Sequence, residues 1–471
     1  MADGVAGRSE VSARPHAAGE TIAAVATAPG PAGIAIVRIS GPDAWAIAAR
    51  VTRLPQPLPD WAAAAGRALH ARFTHPRSGE ALDDGVLLVF RAPRSYTGEN
   101  VVELQGHGGS VAARRLLEAV LASGARLAQP GEFTRRAFLN GRLDLTQAEA
   151  VLDLIQARTD RAAQAARAQL DGRLGSEIRA HYATLAAIVA DLEALLDFSE
   201  EEVPDGFMRE ADARLARLLE PLQELIRSWH AGHLLRDGAL VVISGRPNVG
   251  KSSLLNALLG RNRAIVSEQP GTTRDSIEEN LVLEGFLVRL VDTAGLRETA
   301  CAIEAEGVAR AGALVEQADL NLHLLDGSRT LDVEDRRQLA RLSPARTLLA
   351  VNKSDLPPLL DRGALAGWQA VAISAREGHG LADLRAALAG RLGLQGAAAM
   401  GAEVAARHRE ELERAVDEIG EARRLLGGAA DGLVLAAQRL REAALALARI
   451  TGGVWSEDLL DAVFSRFCVG K

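Results

Sequence analysis

Residues 240–259 set an apolar run, Leu240-Val-Val-Ile243, directly before Gly245-Arg-Pro-Asn-Val-Gly-Lys-Ser252 and a helical stretch. A β-branched run stopped by glycine and followed at once by a helix pattern reads as a buried strand feeding a helix through a tight loop. That unit belongs to doubly wound α/β sheets. The glycines let backbone N–H groups close around an anion at the helix start. Lys251 then reaches β- and γ-phosphates, and the Ser252 hydroxyl can hold Mg²⁺. The loop alone does not separate ATP from GTP.

The surrounding segment, 238–395, keeps the same rhythm. Leu287–Val291, Leu320–Leu325, Thr347–Val351 and Ala370–Ile373 read as further strands between helical stretches. Three motifs sit at their ends. Asp292-Thr-Ala-Gly295 supplies a Mg²⁺-associated carboxylate. Asn352-Lys-Ser-Asp355 supplies a carboxylate that can accept two hydrogen bonds from guanine N1–H and its amine, a pair adenine cannot offer. Ser374-Ala-Arg376 fits a loop against the guanine carbonyl. The nucleotide is therefore GTP. Gly271-Thr-Thr-Arg-Asp275 is the switch I candidate, with Thr273 completing the Mg²⁺ shell. In Ras-like enzymes a glutamine after the motif glycine positions the attacking water. Here that place holds Leu296, and no built-in arginine finger is visible. Asn248 is a candidate ligand for K⁺, whose charge could replace the finger.

A chain of 471 residues exceeds one hydrophobic core. Residues 1–20 lack an apolar signal region and read as a disordered extension. Residues 21–139 read as an α+β domain, with strands at Ile34–Ile39, Asp84–Phe90 and Val101–Leu104, a chain break at Gly106–Gly109, and a helix over Ser110–Ser123. Strand signals stop over 140–235, where Leu170, Leu174, Ile178, Leu185, Ile188, Leu192 and Leu195 fit one face of a long helix. The same composition returns at 401–450, so the α/β domain, 236–396, lies inserted in a helical one whose second part is 397–471. The fold class is multidomain α+β and α/β. Its net charge of −7 gives no general attraction to nucleic acid. No apolar run is long enough for a membrane span, and Cys301 and Cys468 lack disulfide or metal spacing, so a reducing, cytoplasmic location is expected.

The asparagine-bearing phosphate loop, GTTRD and DTAGLRE together resemble the K⁺-dependent GTPases of the TrmE–Era group. The stretches Pro29–Ile39, Tyr96–Gly109, Pro130–Asn140 and Phe467–Lys471 narrow the resemblance to the MnmE (TrmE) family of tRNA uridine-modification GTPases, from about residue 20 to the end. The resemblance implies an N-terminal tetrahydrofolate-binding and dimerisation domain, a helical domain and an inserted Ras-like GTPase domain. It implies a homodimer, and a heterotetramer with the flavoprotein MnmG (GidA). The pair adds a carboxymethylaminomethyl group at carbon 5 of the wobble uridine of certain tRNAs. It places folate contacts (5,10-methylene- or 5-formyl-tetrahydrofolate) on Arg38, Glu103, Arg142 and Lys471. K⁺ ligands fall on Asn248, Ser267, Gln269 and Thr272, and the water-orienting glutamate on Glu304. The residues expected around GTP are then Asn248, Val249, Gly250, Lys251, Ser252, Ser253, Ser267, Glu268, Gln269, Pro270, Gly271, Thr272, Thr273, Asp292, Thr293, Ala294, Gly295, Asn352, Lys353, Asp355, Ser374, Ala375 and Arg376. Arg142 stands where the family often has lysine, and Pro270 replaces a small residue.

Plainer readings stand beside these. Arg135 and Arg136 are as readily a solvated helix start as a tRNA contact. His107 is a turn residue, and Cys468 a pocket-shaping apolar group or a nucleophile. The alternative function is a ribosome-assembly GTPase like Era or Der, but those carry a basic RNA-binding domain after the GTPase domain, where this chain is acidic-to-neutral and helical.

Overall fold

A computed structural model describes residues 19–56, 60–197, 206–260, 278–292, 317–394, 405–427 and 432–471. The chain divides into two compact units, Met1–Glu149 with Trp455–Lys471, and Ala150–Val454. The first holds β1 (Ile22–Val25), β2 (Ile34–Ser40), α1 (Ala44–Val51), β3 (Thr52–Arg53), β4 (Ala68–Thr74), β5 (Ala81–Phe90), β6 (Val101–His107), α2 (Ser110–Ala122), β7 (Arg126–Leu127) and α3 (Glu132–Leu139). The strands make one sheet in the order β3-β4-β5-β6-β2-β1-β7, antiparallel except for the β1–β7 pair. Alternation in β2 turns Val37 and Ile39 toward Ile47, Val51, Leu116 and Val120 and sends Arg38 to the other face. In the β2–β6 register Arg38 lies directly opposite Glu103.

The expected break at Gly106 lies two residues too early, because β6 continues through His107. A Cβ on Gly106 would come within 2.5 Å of the Asp83 carboxylate, so glycine serves close approach inside a strand. The interruption is at Gly108, where a Cβ would stand 1.9 Å from the Ala32 carbonyl oxygen.

The boundary with the second unit falls inside α4 (Leu145–Gln156). There follow α5 (Asp160–Leu170), α6 (Arg173–Asp197), α7 (Phe207–Arg236), β8 (Ala239–Gly245), α8 (Lys251–Leu259), β9 (Glu278–Leu283), β10 (Phe286–Asp292), β11 (Leu320–Asp326), α9 (Val333–Arg341), β12 (Thr347–Asn352), β13 (Ala370–Ala372), α10 (Leu381–Arg391), α11 (Ala406–Leu426) and α12 (Gly432–Thr451). The single helix expected across Leu170–Leu195 is two helices. Gly172, at φ +87°, takes a left-handed turn that ends α5. The stripe still works: Leu174, Ile178, Leu185, Ile188 and Leu192 are buried against Leu215, Leu222, Ile419, Leu440 and Leu447.

The second sheet runs β13-β12-β11-β8-β10-β9. Every pair is parallel except β9–β10. Helices cover it, so β8, β11 and β12 read as near-continuous apolar runs. The edge strand β9 has no counterpart in the sequence reading. It opens Glu-Glu-Asn, and it forms because Glu284 and Gly285, at φ 51° and 82°, make a tight hairpin turn.

The last helix, α13 (Glu457–Phe464), and the tail after it belong to the first unit. Phe464 and Phe467 are buried with ring centroids 5.7 Å apart. Val469 forms a β-bridge with Pro130.

Candidate functional site

The phosphate loop joins β8 to α8 through backbone that a β-carbon would spoil. Gly245 and Gly250 have φ of +134° and +100°. A Cβ on Gly245 would lie 2.6 Å from the Leu324 carbonyl oxygen, and one on Gly250 2.3 Å from Asn352 Nδ2. Asn248 is also left-handed, at φ 64°. Lys251 is 7% exposed, and its Nζ donates to the carbonyls of Gly245 at 2.9 Å and Arg246 at 2.7 Å. The loop's own carbonyls thus hold an ammonium at its mouth. Ser252 Oγ donates to Asp292 Oδ2 at 3.3 Å. A hydroxyl beside a carboxylate at a helix start is a hard-oxygen donor set that fits Mg²⁺.

Asn352 binds three sequence motifs into one corner. Its Nδ2 donates to the Val249 carbonyl at 2.8 Å, and its Oδ1 accepts from the Ala375 N–H at 2.9 Å. Lys353, at φ 67°, donates from Nζ to Asp326 Oδ2 at 2.6 Å. Burial raises the Asp326 carboxyl, but the Lys353 and Ser328 hydrogen bonds outweigh it and hold the group below the usual range. Ser374 is buried and hydrogen-bonds to Asp355, holding that exposed carboxyl below its ordinary value. Asp355 is therefore ionised, the form that accepts two N–H donors.

The sequence reading missed a buried polar group behind the loop. Ser244 Oγ lies 2.7 Å from Asn321 Oδ1 and 2.9 Å from His323 Nδ1. Asn321 and His323 are both 3% exposed, in an otherwise apolar strand. Burial, and then the Lys251 charge, push the His323 imidazole down to about 4. Polar residues in the Leu-Asn-Leu-His-Leu-Leu run were its sequence signal.

In the first unit Arg38 Nε donates to Glu103 Oε1 at 2.9 Å. Its guanidinium lies 5.6 Å from the ring centroids of both Tyr96 and Phe133. The tail reaches this place: Arg38 Nη1 donates to the Gly470 carbonyl at 3.4 Å, and the Phe133 N–H to the Lys471 carbonyl at 3.2 Å. Gly470 has φ +101°, and a Cβ there would stand 2.2 Å from the Val25 carbonyl oxygen. Burial, then Arg38, push the Lys471 ammonium below its usual value, against Glu103 and Cys468. Arg142 Nε donates to the Ser95 carbonyl at 3.1 Å. Arg142 also lines an open cleft of about 340 Å³ with Phe90, Arg94, Ser95 and Tyr96.

Other expectations are corrected. Arg135 is not a solvated helix start; it is 8% exposed and pairs with Glu457 and, at 2.9 Å, with Asp461 of α13. Arg136 is held by Glu99 and Glu132. Cys468 is an exposed free thiol. His107 is a surface group whose Nδ1 lies 2.7 Å from Asp83, which raises its affinity for a proton. Ser267, Glu268, Gln269, Pro270, Gly271, Thr272, Thr273, Asp275, Thr293, Ala294, Gly295, Leu296, Cys301 and Glu304 lie outside the described residues.

A phosphate-binding β-loop-α unit whose base-reading corner ends in an ionised aspartate makes this chain a P-loop GTPase. The family model for the GTP-binding protein TrmE N-terminus matches residues 21–142, and the model for the MnmE helical domain matches residues 145–468. The tRNA modification GTPase MnmE of Geobacter metallireducens is 44% identical, over 96% of this chain and 99% of its own. That of Moorella thermoacetica is 47% identical, over 96% and 99%, and that of Bordetella petrii 45%, over 96% and 98%. The chain belongs to the MnmE (TrmE) family, as the resemblance in its motifs implied.

Proposed function

We propose that this GTPase runs a K⁺-activated hydrolytic cycle that drives modification of the wobble uridine of certain tRNAs. The corner at Asn352 carries the nucleotide half of the reading, because one side chain ties the phosphate loop to the base loop beside ionised Asp355. The shared description of the relatives as tRNA modification GTPases supports the substrate. Lys251 exchanges the carbonyls of Gly245 and Arg246 for the β- and γ-phosphates of GTP. Ser252 and Thr273 hold Mg²⁺ with Asp292 close by, and Mg²⁺ supplies charge neutralisation at the phosphates. Asn248, Ser267, Gln269 and Thr272 hold K⁺, which supplies the charge of an arginine finger. Glu304 orients the attacking water, a task Leu296 cannot perform.

Arg38, Glu103, Arg142 and Lys471 hold a tetrahydrofolate derivative that carries the one-carbon unit. Glu103 fits the N–H donors of a pterin, and Tyr96 and Phe133 flank the Arg38 guanidinium with aromatic faces. The chain acts in the cytoplasm as a homodimer, with a flavoprotein partner of the MnmG (GidA) type that shares in adding the carboxymethylaminomethyl group. Two measurements test the two halves. GTP turnover should be markedly faster in KCl than in NaCl at matched ionic strength, and equal rates would remove the K⁺ assignment. Cells lacking the chain should lose the modified wobble uridine on mass-spectrometric profiling of tRNA nucleosides. Unchanged wobble uridines would remove the tRNA assignment.

A further inference from the structure

The cleft beside Tyr96 is lined by two arginines, Arg94 and Arg142, together with Phe90, Ser95 and Tyr96. Other arginines of the same unit are committed: Arg38 to Glu103, Arg126 and Arg136 to Glu132, Arg135 to Asp461. Among the described residues no carboxylate forms an ion pair with Arg94 or Arg142. Arg142 spends its Nε on the Ser95 carbonyl, which fixes the plane of the group and leaves the terminal nitrogens of the fork for a ligand. Two arginines without carboxylate partners, on an open cleft that also has two aromatic residues, suit an aromatic molecule that ends in carboxylates.

Tyr96 is a wall shared with the Arg38 site, since its ring centroid lies 5.6 Å from that guanidinium. Three chemistries thus follow one another: the Glu103 carboxylate beside Arg38, the aromatic walls, and the guanidinium pair. A reduced folate presents matching groups in the same order: an amidine-like pterin edge, an aminobenzoyl ring, and glutamate carboxylates. One glutamate offers two carboxylates, and each further γ-linked glutamate adds one. We propose that the cleft is a subsite for a γ-linked oligoglutamate tail, with Arg94 as the residue that reads the added carboxylates. The proposal rests on the folate reading above and goes beyond it by naming which form of folate the chain selects.

The test is calorimetric titration of the full chain with 5-formyltetrahydrofolate carrying one glutamate and carrying five. The pentaglutamate should bind about fivefold tighter, the scale of an exposed charge pair. The preference should shrink as NaCl is raised from roughly 0.05 to 0.5 M. Arg94→Gln should bring the ratio of the two affinities to about one, and Arg94→Lys, which keeps the charge, should restore part of it. Equal affinities in the unaltered chain would overturn the subsite while leaving the folate reading standing. A preference that survives Arg94→Gln would overturn the role of Arg94. No binding of either form would overturn the folate reading itself, and the subsite with it.

Discussion

Lys251 and Glu304 carry different parts of the hydrolytic reading, and substitution separates them. On the proposed reading the Lys251 ammonium would meet the phosphates in ground state and transition state alike, so Lys251→Ala should weaken GTP binding, measured by fluorescent-nucleotide titration. Glu304→Ala should leave binding near normal and slow turnover by about 10²-fold or more, the scale of a lost positioning or general-base group. Wild-type turnover in the Glu304 variant would place the water-orienting group elsewhere. His323 supports a prediction about pH. In the folded chain its imidazole titrates near 4 rather than near the usual 6.5. Below about pH 6.5 the unfolded chain takes up a proton that the native chain refuses. Stability therefore falls as pH drops from about 6.5 to about 4, by roughly 3 kcal/mol in total from this group. His323→Leu should flatten that part of the acid-unfolding curve, at a cost of about 1 kcal/mol at neutral pH because Ser244 loses a hydrogen-bond partner. Identical acid slopes in the two chains would contradict the account. The motif residues were legible because a phosphate loop must have its glycines and lysine in fixed order. His323 was harder to read, since its effect comes from burial in the folded sheet and from the Lys251 charge on another element.

At the scale of elements, the legible ones carry their own periodicity, and the illegible ones are made by neighbours. The strands β8, β10, β11 and β12 announce themselves as apolar runs because the sheet is covered on both faces. By contrast β9 is an edge strand with a polar start, and only its pairing with β10 makes it a strand. The leucine stripe across 170–195 was read correctly as a buried face but wrongly as one helix, because a single left-handed glycine scarcely disturbs the spacing. The tail is the element with most at stake. Its Val469 bridge, its Gly470 approach to Val25 and the donation from Arg38 all depend on residues hundreds of positions away. Deleting residues 468–471 should abolish folate binding and tRNA modification while GTP turnover stays largely intact. Gly470→Ala should do much the same, because its Cβ has no room beside the Val25 carbonyl. Normal modification by either variant would contradict the tail's role, and lost turnover would mean that the tail is needed for the fold.

For the whole molecule, the sequence places 397–471 in the second half of a helical domain interrupted by the GTPase domain, and the helical-domain model matches through residue 468. Within the fold, Trp455–Lys471 groups with Met1–Glu149 in one compact unit. The grouping is not visible in composition, because α13 is an ordinary amphipathic helix; in the fold it and the tail after it bury Leu460, Phe464 and Phe467, and it sets Glu457 and Asp461 against Arg135. It follows that a fragment ending near residue 139 lacks Arg142 and the whole tail. Such a fragment should bind 5-formyltetrahydrofolate poorly by calorimetry, while the full chain binds it at micromolar concentration; equal binding would show that the tail is dispensable. GTP hydrolysis and tRNA modification are joined only if one chain must do both in the same cell. The most direct measurement is therefore complementation of cells lacking this chain, read by mass spectrometry of tRNA wobble nucleosides. The intact chain should restore the modified uridine, and neither Lys251→Ala nor the chain without residues 468–471 should do so. Full restoration by Lys251→Ala would contradict the claim that GTP hydrolysis drives the modification.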